Sequence, residues 1–325
     1  MSSLLEVKQY VRNFINKYDA YLKPVVKLLL ALIALLTING KLGYMQKIDN
    51  FAIVIIAALM CSFLPINFIV LISAVFIMLH MYALSLESAC VVLVLMIVLF
   101  LLYFRFSPKD TVVVVITPIA CIMGIPYVMP VVMGLIGGPY SIVSIACGVI
   151  IYYVLGTMTS VAPTLTSMET EEMGTRLRLI IDAILDNKVM IVLIVAFAIT
   201  AIVVYVVRNL PMDYCWPIAI VGGAIIDAVI VLICDLSLQA DISIAGLLFG
   251  SILAVVAGFV MQFLFFNVDY NRAEKVQFED DEYYYYVKAV PKVTMSVSSK
   301  TVKKINSANR RPAQRPPSRS YDMDE

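Results

Sequence analysis

Residues 51–65 read FAIVIIAALMCSFLP, and residues 111–126 read TVVVVITPIACIMGIP. Each stretch is apolar, and each ends at a proline, Pro65 or Pro126. A helix rises about 1.5 Å per residue, so a hydrocarbon core about 30 Å thick requires about 20 residues. Both stretches are shorter than that. They therefore predict half-helices that meet in the membrane, arms of re-entrant hairpins, or proline kinks within longer tilted helices.

The sequences downstream of the two breaks resemble each other. After each proline come an apolar run, a tyrosine and an Ala-Cys pair, with the tyrosines at Tyr82 and Tyr140. This pattern predicts an internal duplication with candidate repeats at 51–104 and 110–158. Duplicated units with broken helices are a recurring design of transporters, because a broken helix exposes backbone groups near the bilayer midplane.

The composition determines the class of protein. Hydrophobic residues make up 62% of the 325-residue chain and charged residues 14%, compared with about 45–50% and about 25% in soluble domains. We therefore predict an all-α, polytopic transmembrane helical bundle of about eight to ten apolar segments, some of them short, re-entrant or broken. This transmembrane domain should cover residues 23–267.

The charged residues suggest a topology. Apolar residues at helical spacing predict an amphipathic surface helix over residues 1–22, and a second amphipathic segment should lie in an extracytoplasmic loop at 161–187. Arg105, Lys109 and Arg208 would fall on the inner side, as the positive-inside rule favours. We expect a multi-pass protein of the plasma membrane with both termini cytoplasmic and in contact with anionic lipid.

Polar residues inside apolar segments are the main candidates for a functional site. Asp227 lies near the middle of an apolar segment at 216–236, where an unpaired carboxylate costs about 2.5–3.5 kcal/mol. It is either a proton or cation relay or a structural hydrogen-bonding group. His80 is expected at the membrane interface, and Glu87, at a segment end, is expected to reach water.

Glycines suggest two further features. Gly137 and Gly138 precede Pro139 and predict either a tight turn or an unwound stretch that offers backbone groups to a solute. A stripe of small residues predicts close helix packing; its glycines are Gly246, Gly250 and Gly258.

The composition changes abruptly after Phe266, and residues 268–325 are predicted to form a cytoplasmic, largely disordered basic tail. Its aromatic run predicts a short extended segment that pairs with another chain or lies on the membrane. Basic residues further along would contact anionic lipid or a partner. The candidate binding residues are Tyr283, Tyr284, Tyr285, Tyr286, Lys303, Lys304, Arg310 and Arg311.

These patterns support two functional hypotheses. The first is a permease that moves a small solute or ion along a pathway including Asp227, Pro65, Pro126, Gly137 and Gly138. The alternative is a non-catalytic scaffold or subunit of a membrane complex whose tail recruits a cytoplasmic partner. We expect no enzyme activity, cofactor, metal site or nucleic-acid partner, because the sequence contains no pattern of nucleophile and base, paired carboxylates or metal ligands.

Overall fold

The computed structural model describes residues 2–167, 173–212, 214–265, 274–279 and 284–289. The chain divides into two compact units, 1–267 and 268–325. The first unit is an all-α bundle, and seven of its described helices are long and apolar enough to cross a membrane. In the described residues the helices are α1 (Ser2–Leu42), α2 (Phe51–Phe63), α3 (Asn67–Leu84), α4 (Leu86–Phe106), α5 (Thr111–Ile122), α6 (Val128–Ile136), α7 (Ser141–Ser167), α8 (Met173–Leu185), α9 (Lys188–Arg208), α10 (Cys215–Leu238) and α11 (Ile244–Phe265).

Helices α1 and α2 are antiparallel neighbours that cover the same depth of the bundle. At one end, the Ser62 hydroxyl donates to the Pro24 carbonyl at 2.8 Å, and the Lys27 ammonium donates to the Leu64 carbonyl at 3.1 Å. At the other end, the Asn39 amide donates to the Ile48 carbonyl at 2.9 Å. The short helix α2 therefore covers the same depth as residues 24–39 of α1, and Pro65 lies in the turn that joins it to α3.

Helix α3 returns beside α1. His80, near its end, is fully buried; its Nε2 lies 3.0 Å from the Asn39 side-chain oxygen, and its Nδ1 accepts from the Met45 N–H at 3.1 Å. His80 is therefore a buried hydrogen-bonding residue between two helices and the loop that joins α1 to α2. Helix α4 follows directly, and Ser85 before it caps the first turn by accepting the Ser88 N–H with its hydroxyl at 3.1 Å.

The second half of the bundle contains α7 and α9 to α11. Asn187 caps α9 by accepting the Met190 N–H at 3.1 Å. Helices α9 and α10 pack closely enough that a Cβ at Gly223 would lie 2.2 Å from a methyl carbon of Val204. Buried side chains form one large apolar core around α1 to α4 and two smaller cores around α6, α9, α10 and α11.

Two predicted boundaries differ from the structure. The break between the surface helix predicted at 1–22 and the first crossing lies at Tyr18, where non-helical dihedral angles separate two helical stretches of α1. The segment predicted as an amphipathic loop at 161–187 begins within α7, which continues to Ser167, and it contains α8 (Met173–Leu185). Helix α8 buries Ile180 and Ile184 in the core that contains α4 and α7.

Glu87 does not reach water as predicted. It is only 6% exposed and forms an ion pair with Arg176 of α8, with Oε1 and Nη1 3.2 Å apart. Arg176 also donates to the Leu165 carbonyl near the end of α7. The position of Glu87 at a segment end was misleading, because α8 folds back over that end.

The second unit contains two antiparallel strands, β1 (Glu274–Glu279) and β2 (Tyr284–Ala289). Their register aligns Glu274 with Ala289 and Glu279 with Tyr284. The predicted extended segment therefore has its partner within the same chain, in residues to which no strand was assigned from sequence.

Candidate functional site

Helices α5 and α6 form a re-entrant hairpin. Just before α5, the Ser107 hydroxyl accepts a hydrogen bond from Ser144 in the first turn of α7, at 2.7 Å. Just after α6, the Gly138 N–H donates to the Ser141 hydroxyl at the start of α7, at 3.3 Å. Both ends of the hairpin therefore lie at the start of α7, on the same face of the bundle.

The tip of the hairpin, which we define as residues 122–126, lies near the middle of the bundle. Helix α5 has 12 residues and α6 has 9. They rise about 18 Å and about 14 Å, roughly half of a hydrocarbon core about 30 Å thick. Tyr127, which is the residue directly after the tip, packs edge-on against Phe197 in the middle of α9, with ring centroids 5.9 Å apart.

The sequence explains why the chain turns at this point. Gly124 has φ +75°, a left-handed conformation that glycine adopts without a steric penalty. The Gly124 N–H bonds to the Cys121 carbonyl at 3.2 Å, and the Ile125 N–H bonds to the Ala120 carbonyl at 2.9 Å. This pair of bonds is a Schellman motif, and Pro126 prevents the helix from continuing.

The tip is exposed, and part of its backbone is unsatisfied. Met123 is 68% exposed and Ile122 is 41% exposed. Across the described residues, no donor bonds to the carbonyl oxygens of Ile122, Met123 or Gly124. At this depth non-helical backbone is tolerated only where it is buried in protein or lines a water-filled cavity. Since this backbone is not buried in the chain, it fits a water-filled recess.

Asp227 lies on α10, which packs against α6 and α9. It is 1% exposed, and its Oδ1 accepts a hydrogen bond from the Thr200 hydroxyl of α9 at 2.9 Å. Its Oδ2 is buried and has no hydrogen-bond partner in the described part of the chain. Tyr127 lies within electrostatic range of Asp227. The residue that follows the hairpin tip is thus close enough to the buried carboxyl to interact with it electrostatically.

The chain matches no known protein family, no curated protein and no solved structure. The candidate site is consequently defined by its geometry. A buried carboxyl with one open oxygen can bind a proton or another cation, and unsatisfied carbonyl oxygens can accept hydrogen bonds or coordinate a cation.

The other predicted pathway residues lie away from the tip. Pro65 is in a turn at the face of the bundle, where the Leu64 carbonyl already accepts from Lys27. Gly137 ends α6, and its carbonyl accepts from an Arg208 Nη at 3.1 Å. Gly138 lies at the foot of the hairpin. Of the predicted pathway residues other than Asp227, only Pro126 therefore belongs to the hairpin tip.

The three glycines of the stripe on α11 differ in how closely other helices approach them. A Cβ at Gly250 would lie 2.3 Å from the Tyr127 ring, and one at Gly258 would lie 2.7 Å from Ile220 of α10. Gly246 is exposed, and its nearest neighbour is Ser243 in its own turn. Gly250 therefore provides the space that lets Tyr127 pack beside α11.

Thr200 and Tyr127 are site residues that the sequence did not reveal. Thr200 lies in an apolar segment like many other threonines, and its partner Asp227 is 27 positions away. The place of Tyr127 immediately after Pro126 was a usable signal, since a break exposes its neighbours. Tyr284, Tyr285 and Tyr286 belong to β2, whereas Tyr283, Lys303, Lys304, Arg310 and Arg311 lie outside the described residues.

Proposed function

We propose that this multi-pass membrane protein is a permease that moves a small solute or ion past the tip of the α5–α6 hairpin. The observation that carries the proposal is the exposed, unsatisfied backbone at mid-depth, which directly precedes Tyr127, a residue within electrostatic range of the buried carboxyl of Asp227. Discontinuous helices that place free backbone groups and an ionisable side chain at the midplane are typical of transport sites.

Asp227 would couple movement of the solute to protonation of its carboxylate or to binding of a cation there. An ionised carboxylate with a single hydrogen-bond donor is poorly stabilised in an apolar interior. A proton or cation on Oδ2 removes that cost, so the occupied and empty states favour different packing around Thr200 and Tyr127. In this proposal the chain performs no bond-making chemistry and has no metal or cofactor.

The packing of the hairpin would let a change in packing near Asp227 move one arm relative to the other. Helix α5 packs mainly against α7, whereas α6 packs between α9 and α11. The two arms therefore pack against different helices. A shift of α6 relative to α5 would open the tip toward one face or the other, which is the motion that alternating access requires.

The first experiment is a flux assay. The full-length protein is reconstituted into vesicles that contain the pH indicator pyranine, and a panel of ions, amino acids and sugars is added outside. We expect at least one member to change the internal pH in wild-type vesicles, and Asp227→Asn to reduce the change to that of protein-free vesicles.

Asp235→Asn is the matched control, since Asp235 lies two turns further along α10 and its side chain accepts the Ile242 N–H at 3.0 Å. An asparagine keeps that acceptor, so this variant should retain flux. Full flux in a well-folded Asp227→Asn variant would show that Asp227 is a structural hydrogen-bonding residue.

A scaffold is the second candidate, favoured by the separate C-terminal unit with its two-stranded hairpin. An isolated hairpin is marginally stable and gains stability by pairing with a further strand. If wild-type protein moves no tested solute but co-purifies stoichiometrically with one protein, and truncation after Asn267 removes that protein, the scaffold function is supported.

We also propose that the protein lies in the plasma membrane with both termini cytoplasmic. The face of the bundle that carries the foot of the hairpin contains the basic residues Arg105, Lys109 and Arg208 near helix ends. The positive-inside rule favours this face as the cytoplasmic one.

A further inference from the structure

A cation lies at the depth of the hairpin tip. Lys41 is in the last turn of α1, and its ammonium is 3.8 Å from the centroid of the Tyr152 ring. Helix α7 begins at the foot of the hairpin, and Tyr152 lies about three turns into it, which is a rise of about 16 Å. Helix α5 rises about 18 Å from the same face to the tip. The ammonium and the tip therefore lie at a similar depth.

Lys41 is also close to the start of the tip. It lies within electrostatic range of the buried thiol of Cys121, the residue directly before the tip. Tyr127, the residue directly after the tip, is in turn within electrostatic range of Asp227. A cation therefore flanks one end of the tip, and a carboxyl group flanks the other.

The charge of Lys41 is uncompensated within the described part of the chain. Its ammonium forms no ion pair with the residues described there, although Lys23 and Arg176 each pair with a carboxylate. The face of an aromatic ring attracts a cation, but an anion is a stronger partner. A half-buried ammonium at mid-depth is costly, and such a charge usually serves a ligand or a charged partner. The group that suits Lys41 is therefore an anion.

The other free groups around the tip are acceptors. The carbonyl oxygens of Ile122, Met123 and Gly124 receive no hydrogen bond from the described residues, and neither does Oδ2 of Asp227. Oxygen acceptors repel a bare anion and attract N–H or O–H donors. A single ligand that suits both sets of groups therefore carries an anionic group together with hydrogen-bond donors.

We infer that the solute is a small zwitterion of the amino-acid class. Its carboxylate pairs with Lys41, and its ammonium donates to the free carbonyl oxygens of the tip and is attracted by Asp227. Lysine is a compact point charge, which suits a single carboxylate. The opposite charges of the solute cancel, so the bound solute brings no net charge to mid-depth. The inference rests on the proposed function, because it names the solute class of the same site.

The test is thermal unfolding of the full-length wild-type protein in detergent with a set of small compounds, because a ligand of the folded state raises the unfolding temperature. Glycine, β-alanine and γ-aminobutyrate carry both charged groups at increasing separation. Pyruvate carries only a carboxylate, and ethylamine carries only an ammonium. We expect at least one of the three amino acids to raise the unfolding temperature at a concentration about tenfold lower than pyruvate or ethylamine requires.

One variant and one control locate the carboxylate of the solute. Lys41→Gln should weaken binding of the effective amino acid about tenfold or more, the effect of losing a hydrogen bond between charged groups. It should leave the weak effect of ethylamine unchanged. Lys47→Gln is the matched control, because Lys47 is an exposed lysine in the adjacent loop, and this variant should bind as the wild type does.

The comparison of compounds in the wild-type protein decides the inference even if Lys41→Gln misfolds. Stabilisation by pyruvate or ethylamine equal to that by the amino acids, no stabilisation by any compound, or undiminished binding in a folded Lys41→Gln variant would overturn it. Flux of an inorganic ion or a sugar without amino-acid binding would support the permease and overturn this inference. Amino-acid binding without flux would support the site and contradict the permease.

Discussion

Gly222 and Gly223 are neighbours on α10 with different surroundings. A Cβ at Gly223 would lie 2.2 Å from a Val204 methyl carbon, whereas a Cβ at Gly222 would meet nothing within 4 Å. We expect Gly223→Ala to destabilise the protein by about 1–3 kcal/mol, the usual cost of overpacking. Gly222→Ala should be neutral or stabilising by less than about 1 kcal/mol, because alanine favours helix more than glycine.

Thermal unfolding in detergent measures both variants. Adding Val204→Ala to Gly223→Ala should recover part of the lost stability, because it removes the clashing methyl carbon. Equal stability of the two single variants would contradict the close approach of α9 and α10 at this position.

At the residue scale, the sequence indicated individual polar residues better than it indicated their hydrogen-bond partners. Asp227 was evident because a carboxylate is expensive in an apolar segment. Thr200 was not, because a threonine in a membrane helix usually bonds its own backbone and gives no sign of a distant partner. Glu87 was misjudged for the same reason, since Arg176 is separated from it by 89 positions.

At the scale of elements, the ion pair between Glu87 and Arg176 fixes α8 to α4. Both side chains are less than 10% exposed, and removing one partner of a buried pair typically costs about 3–5 kcal/mol. We therefore expect Arg176→Met to loosen α8 and to raise backbone hydrogen exchange across Met173–Leu185.

The double variant Glu87→Leu with Arg176→Met leaves no uncompensated charge, so it should exchange less than Arg176→Met alone. Exchange in α11, far from the pair, provides the internal reference. Unchanged protection of α8 in Arg176→Met would show that the apolar contacts of Ile180 and Ile184 suffice to hold it.

The two proline breaks show what local sequence cannot determine. They look alike, yet Pro65 lies in a turn at the face and Pro126 near mid-depth. The difference comes from the helix after each proline: α3 has 18 residues and crosses the bundle, whereas α6 has 9 and returns to the face where α5 began. The depth of a break depends on which helices pack together, and the similarity between the two sequences does not reveal that packing. The duplication therefore stays a prediction.

Thiol accessibility tests the recess at the hairpin tip. Met123 is 68% exposed and Val94 on α4 is 62% exposed, so their geometric exposure is nearly matched. In a background without the native cysteines, Met123→Cys should react with a membrane-impermeant methanethiosulfonate reagent, because a thiolate forms in water and not in lipid. Val94→Cys should remain unreactive, since it faces hydrocarbon.

Reaction of both cysteines would mean that exposure alone governs labelling. If neither reacts, the tip faces lipid or another protein, and the permease proposal loses its water-filled route. Either result is informative only if the two variants extract and unfold like the parent.

At the scale of the whole molecule, the topology is a consequence of the helix pairing. In the described residues, seven helices are long and apolar enough to cross a membrane, while α5 and α6 begin and end on one face. In the proposed topology α2 is an eighth crossing, and an even number of crossings places the start of α1 and the end of α11 on the same side. Composition predicted the helices, but it did not distinguish the role proposed for α2 from that of α5 and α6.

Single cysteines labelled in right-side-out and inverted vesicles test this topology. Gln46→Cys and Gln239→Cys should react from one side, and Lys109→Cys and Leu210→Cys from the other, which the positive-inside rule makes cytoplasmic. Phe63→Cys, at the end of α2 and 87% exposed, is the decisive variant. It should react from the same side as Lys109→Cys, because α2 crosses the bundle. Reaction of Phe63→Cys from the side of Gln46→Cys would instead make α2 re-entrant, reduce the crossings to an odd number and separate the two ends of the bundle.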